Sequence, residues 1–223
     1  MINLFSKYPA QFTVLIVFTL QFINGFFILE LHKYSPALFW LYDIFQFVLL
    51  PLILLVALSK YFKLKPSNYG ITIPKTTENY TSLILVIVYC TLLLQLFSFV
   101  SYEAAKAFFT AISYKNYHSV IPSGIFEIPT ILYMSASAAI VEEIIYRGLP
   151  LIILKNIINE RKLELVYIFI TASIFALVHW ENDLANIVSS FVYGVIAATL
   201  YLQYKNLIPI IFAHFTIDLV IFW

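Results

Sequence analysis

The chain has 223 residues, of which 62% are hydrophobic, 18% aromatic and only 11% charged, with a formal net charge of +1. Soluble domains carry about 25% charged and roughly 45–50% apolar residues, so this composition excludes an ordinary cytosolic protein. The small charge excludes a nucleic-acid footprint, and a single cysteine, Cys90, excludes an internal disulfide or a cysteine-rich metal site.

A mean hydropathy of +0.91, with the apolar residues in long blocks, predicts an all-α, polytopic transmembrane helical bundle. A span needs about 20 apolar residues. On that criterion spans are expected at 11–31, 37–58, 82–100, 128–158, 164–180, 187–204 and 207–223. The first is read as an anchor rather than a cleaved signal, since it is long and lacks an A-x-A site. The fourth carries Gly148 and Pro150, which are expected to kink or break it. A short re-entrant helix over 151–158 would then bring the total from seven spans to eight. No internal repeat, low-complexity tract or soluble domain is visible. The expected division is 1–125, about three spans with their loops, and 126–223, a catalytic core.

Basic residues orient the bundle. Lys7, Lys60, Lys63, Lys65, Lys75, Lys155, Arg161, Lys162 and Lys205 fall on one alternating side, and Lys33, Lys106 and Lys115 on the other. Nine against three favours an inside N-terminus and an outside C-terminus.

Ionisable groups within hydrocarbon cost at least ~2.5–3.5 kcal/mol each on insertion scales and by default mark function. Here they gather in the last hundred residues: Glu142, Glu143 and Arg147 in the fourth span, His179 at the end of the fifth, His214 and Asp218 in the seventh. Glu143 and Arg147 are i,i+4 on a helix, so the guanidinium can neutralise that carboxylate. Glu142 lies about 100° around the helix and escapes the pairing. The two carboxylates therefore have different environments, the condition that assigns different acid–base roles to neighbours. His214 and Asp218 are also i,i+4, so the acid can orient the imidazole. The point midway between 142 and 179 falls in the polar turn 159–162, which sets Glu142 and His179 level in an antiparallel hairpin. His214 lies roughly 13 Å past Lys205 at 1.5 Å per residue. A conical, water-filled cavity descending from the 181–186 loop would reconcile these depths.

Elsewhere the structural explanation is preferred. Asp43 is read as packing or substrate-path polarity, Glu30 and His32 as interfacial, His118 as solvated. Ser190, Gly194 and Ala198, at i, i+4 and i+8, predict close helix packing. The 21 Phe and 16 Tyr are too dispersed for a cofactor box.

A carboxylate, two imidazoles and a further acid, without a nucleophilic serine motif, suggest water activation. Glu142 would take a proton from water and His179 would hold that water or donate to the leaving group. His214 with Asp218 would stabilise an oxyanion. Glu142, His179 and His214 could instead hold a divalent metal such as zinc, with a position left for water. From these residues alone both routes stay open.

At these positions the chain resembles the CAAX-protease and bacteriocin-processing (CPBP, or Abi) family of intramembrane endopeptidases, and within it the type II CAAX prenyl protease-like members. Its EExxxR motif is matched by Glu142, Glu143 and Arg147, its FxxxH motif by Phe175 and His179, and its HxxxN/D motif by His214 and Asp218. The run from Gly194 to His214 also looks like the stretch that precedes the last motif. The resemblance covers about 126–223. It implies hydrolysis of a peptide bond in a membrane-associated substrate, prenylated, leader-bearing or bacteriocin-related, with Glu142 activating water, His179 as its partner, His214 and Asp218 on the oxyanion side, and Glu143, Arg147 and Phe175 supporting them. The metal-free version is preferred. Family members acting on prenylated proteins open to the cytosol, whereas the charge count puts the 181–186 mouth outside, and the motifs are weighted above the charge count. A non-catalytic bacteriocin immunity or scaffold protein on the same fold is the alternative, and a proton-coupled transporter, without internal repeats to support it, a third. Residue usage rich in Ile, Tyr, Asn, Phe and Lys points to a bacterial plasma membrane.

Overall fold

The structure, a computed structural model, describes residues 7–29, 35–74, 76–109 and 120–223. Glu30, His32, His118 and the basic residues Lys33, Lys75 and Lys115 lie outside the described residues. The described residues form helices and turns, with no strand among them. In chain order they are α1 (Pro9–Leu29), α2 (Pro36–Ile44), α3 (Leu50–Phe62), α4 (Thr77–Lys106), α5 (Glu127–Glu143), α6 (Leu149–Lys155), α7 (Glu160–Leu177), α8 (Leu184–Tyr204) and α9 (Ile208–Phe222).

Local chemistry sets the ends of these helices. Ser35, Thr76, Asn159 and Asp183 occupy N-cap positions, each side chain accepting a backbone N–H of the first turn. Pro36 and Pro209 sit in first turns, where the missing N–H costs nothing. α3 and α8 stop at Lys63 and Lys205, both in the left-handed conformation.

Two helices widen instead of breaking. Wide π turns at Phe45–Leu49 and Ile144–Gly148 join α2 to α3 and α5 to α6, each just before a proline, Pro51 and Pro150. A proline ring collides with the carbonyl four residues earlier. A turn closed by an i→i+5 bond, Leu50 N–H to Phe45 O and Leu149 N–H to Ile144 O, gives that carbonyl room. Gly148 itself is right-handed helical, at φ −61°. The expected break is therefore absent: α6 continues α5 through the wide turn and ends at Lys155, and no separate helix spans 151–158.

By length and composition five rods can cross a membrane: Pro9–Phe27, Pro36–Phe62, Glu78–Lys106, Gly124–Lys155 and Leu184–Tyr204. α7 carries Glu160, Arg161, Lys162 and Glu164 in its first turns, and α9 has 15 residues, so neither meets that criterion. Outward residues of α4, including Leu85, Leu92, Leu96 and Phe99, are more than half exposed, the pattern of a surface made for acyl chains.

α8 packs between α7 and α4, α9 against α4 and α5, and α1 along α6. The core runs through Leu94, Ile145, Tyr146, Leu149, Tyr167, Phe175 and Ala197, so residues on both sides of position 125 share it. The small-residue stripe has the predicted use. A Cβ on Gly194 would lie 2.7 Å from the Cα of Ala172 and 3.0 Å from its Cβ, so α7 and α8 touch backbone to backbone. Gly194→Val is therefore expected to cost about 1–3 kcal/mol, as overpacking does, read as a lower melting temperature in detergent. An unchanged melting temperature would contradict the close approach.

Candidate active site

The site is assembled from the end of α5, the turn after α7, the middle of α9 and the walls of α1 and α2. Glu142 and Glu143 are the last two residues of α5, immediately before the π turn. Wide turns of this kind occur often at functional sites because they re-aim side chains. Here Arg147, inside the turn, is fully buried and so is Glu143.

Glu143 is the hub. Its Oε1 accepts from Arg147 Nη1 at 3.1 Å, from the Tyr193 hydroxyl at 3.0 Å and from His214 Nδ1 at 2.8 Å. The i,i+4 ion pair expected of Glu143 and Arg147 is present. The guanidinium also lies over the Phe175 ring, 3.9 Å from its centroid, and 5.3 Å from that of Tyr193, a cation–π arrangement strengthened by burial. The Tyr167 hydroxyl donates to the Arg147 carbonyl at 3.1 Å, capping a backbone group within the π turn. Phe175 is thus a floor shared by Arg147, His179 and His214, with ring centroids 4.8 Å and 5.8 Å from the two imidazoles.

Glu142 points elsewhere, as the 100° offset requires. Its Oε2 lies 3.9 Å from His214 Nε2, and that same nitrogen lies 3.5 Å from Asp218 Oδ2. The expected His214–Asp218 pair is present, but the shorter contact on this ring is the one from Nδ1 to Glu143. Glu143 therefore orients the imidazole, leaving Nε2 to face Glu142 and Asp218. His179 sits in the turn after α7 with Nδ1 2.8 Å from the Phe175 carbonyl. The neighbouring Trp180 indole N–H donates to Phe22 O at 2.8 Å, and its ring packs on Phe22 and Phe26. That contact fastens the turn, and His179 with it, to α1.

Glu142, His179, His214 and Asp218 line one cavity of about 120 Å³, with Gln21, Asn24, Asp43, Gln46 and Glu181 among its other walls. The space is polar and larger than one water needs. A larger surface hollow of about 290 Å³, between Thr72, Asn79 and Asn206, holds no histidine and no carboxylate. Among the described residues, no group of three His, Cys, Asp or Glu side chains is arranged to hold a metal. Glu142, His179 and His214 share the cavity without forming such a set.

Several participants carry no sequence signal. Tyr193 is one tyrosine among 16, next to Gly194. Tyr146 donates its hydroxyl to Gln21 Oε1, which links the π turn to α1. Asp43, read from sequence as packing or path polarity, lies on the cavity wall and accepts from the Tyr133 hydroxyl at 2.9 Å.

No curated protein and no solved structure matches the chain. Residues 124–220 match the family described as Rce1-like, type II CAAX prenyl endopeptidase, a stretch that runs from α5 through the π turn and into α9, two residues short of its end. Five membrane-length apolar rods among the described residues mark an integral membrane protein, and the segment that holds all three motifs is similar to the Rce1-like family of type II CAAX prenyl endopeptidases.

Proposed function

We propose that the chain is an intramembrane endopeptidase that hydrolyses a peptide bond of a membrane-associated substrate with water activated by Glu142 and His179. The observation that carries this reading is the shared cavity: a carboxylate, Glu142, held apart from the ion pair beside it and facing His214 Nε2 at 3.9 Å, with His179 and Asp218 on the same walls.

In the reaction, Glu142 takes one proton from water as the hydroxide adds to the scissile carbonyl carbon. His214, fixed through Nδ1 by Glu143, offers its Nε2–H to the oxyanion when the ring carries both protons, with Asp218 beside it. Collapse of the adduct breaks the C–N bond, and the proton held by Glu142 passes to the leaving amine with His179 as its partner. A new carboxylate and a new amine result. Arg147 neutralises Glu143, so the second carboxylate orients the imidazole without competing for the water's proton.

Residues 126–223 would form the catalytic core, with α1, α2 and the first π turn completing its walls. All seven rods, α7 and α9 included, would lie within the bilayer, and the cavity would widen toward the 181–186 loop. A bacterial plasma membrane is the setting that residue usage suggests. The substrate class is a prenylated or leader-bearing peptide.

Liposome-reconstituted protein given a farnesylated peptide ending in Cys-Val-Ile-Met in heavy-oxygen water tests the reading. One heavy oxygen is expected in the newly formed carboxylate, detected by mass spectrometry. An uncleaved peptide, or a product without the label, would refute hydrolysis of this class.

A further inference from the structure

Two amide side chains in the cavity are left without work by the mechanism above. Gln46 lies inside the first π turn, is 1% exposed, and has no hydrogen-bond partner on Oε1. Gln21, on α1, is 5% exposed; its Oε1 accepts from Tyr146, and its Nε2 has no partner. Both line the cavity that holds Glu142, His179, His214 and Asp218, and both lie outside residues 124–220.

A buried amide atom without a partner is costly and calls for a reason. These two are not scattered. Both residues line one cavity, and between them they leave one acceptor and one donor unpartnered. A prenyl or acyl tail could satisfy neither, and a cation could satisfy only the oxygen. A peptide group satisfies both, since it offers an N–H and a C=O. The cavity of about 120 Å³ suits a peptide group rather than a folded segment. The π turn supplies a local cause for the placement of Gln46: the wide turn ahead of Pro51 carries it to the wall of the cavity, as the matching turn ahead of Pro150 follows Glu142.

We propose that Gln21 and Gln46 form a main-chain clamp, Gln21 donating to a carbonyl and Gln46 accepting from an N–H of the bound peptide, which sets the peptide bond presented to Glu142. The inference rests on the endopeptidase reading for its ligand class. It makes these residues positioning residues, acting on the substrate main chain irrespective of its side chains.

The test uses the full chain in detergent micelles and a dansyl-labelled, farnesylated peptide ending in Cys-Val-Ile-Met, with ester analogues in which one peptide N–H at a time is replaced by oxygen. Binding is measured in a Glu142→Gln background and cleavage in the unsubstituted protein. One ester is expected to weaken binding about tenfold, the effect of one hydrogen bond to a group otherwise left buried and unpaired. Gln46→Met should weaken binding of the amide peptide by a similar factor and abolish the difference between amide and ester. In the cleaving protein the same variant should raise KM and leave kcat within about twofold.

Tight binding of every ester by the unsubstituted cavity overturns the clamp even if the glutamine variants fold poorly. Amide binding unaffected by both Gln46→Met and Gln21→Met overturns it too, and cleavage in the same experiment leaves the endopeptidase reading standing. Glutamine-dependent binding without cleavage keeps the clamp and overturns the endopeptidase. No binding of any peptide overturns both.

Discussion

Glu142→Gln is expected to lower cleavage by about 10²–10⁴-fold, the range that a positioned general base contributes, while the protein stays folded and inserted. The substitution preserves size and removes only the ability to take a proton. Its neighbours explain why the effect is confined to chemistry. Glu142 is 7% exposed and its Oε2 lies 3.9 Å from His214 Nε2, whereas the Glu143 network of three short contacts is untouched. Cleavage kinetics and a melting curve on one preparation check both halves. Wild-type turnover by the variant would remove Glu142 from the mechanism. His179→Ala is expected to fall in the same range with the fold intact, since the Trp180 indole still ties the turn to α1.

Arg147→Met is expected to act on the fold first. Both partners of the Arg147–Glu143 pair are fully buried, 3.1 Å apart. Removing one charge leaves the other unpaired in an apolar interior, which typically costs about 3–5 kcal/mol. The guanidinium also stacks over Phe175 at 3.9 Å, a contact that a lysine ammonium cannot reproduce in the same plane. Arg147→Lys should therefore destabilise as well, by less. The decisive measurement is the double variant Glu143→Gln with Arg147→Met. With both charges gone, its unfolding free energy should recover part of what Arg147→Met alone loses, so the two effects are non-additive. Strict additivity would show that the pair is not coupled. Activity should stay low in the double variant even where stability returns, because His214 then loses the carboxylate that accepts from its Nδ1.

The two predictions separate the roles of adjacent carboxylates. Glu142 lines the cavity, while Glu143 is spent on holding three side chains, from the π turn, α8 and α9. In the proposed reaction the same residue type one position apart would serve chemistry in one case and architecture in the other, because one helical step turns one side chain toward the cavity and the other toward the core.

How much of this could be read from sequence follows the range of the physics involved. The rods over Pro9–Leu29, 36–62, Thr77–Lys106, 127–155, Glu160–Leu177, Leu184–Tyr204 and Ile208–Phe222 lie within a few residues of the expected apolar runs, since run length and terminal caps are local. The Glu143–Arg147 and His214–Asp218 pairings were legible for the same reason: i,i+4 spacing on a helix fixes them before any packing occurs. The π turn was not legible, because Gly148 and Pro150 are equally compatible with a kink, a break or a widened turn. Only the packing of Tyr167 and Phe175 around Arg147 decides among these.

What tertiary structure alone decided is who meets across helices. That His214 Nδ1 binds Glu143, that Tyr193 joins them at Glu143 from α8, and that Gln21 and Gln46 share a cavity with Glu142 depend on residues 50 to 121 positions apart in the chain. Spacing rules carry no information at that separation. By itself the sequence determined helices, their partnered charges and a family's motif set; the packing of those helices determined which charge is left free to act.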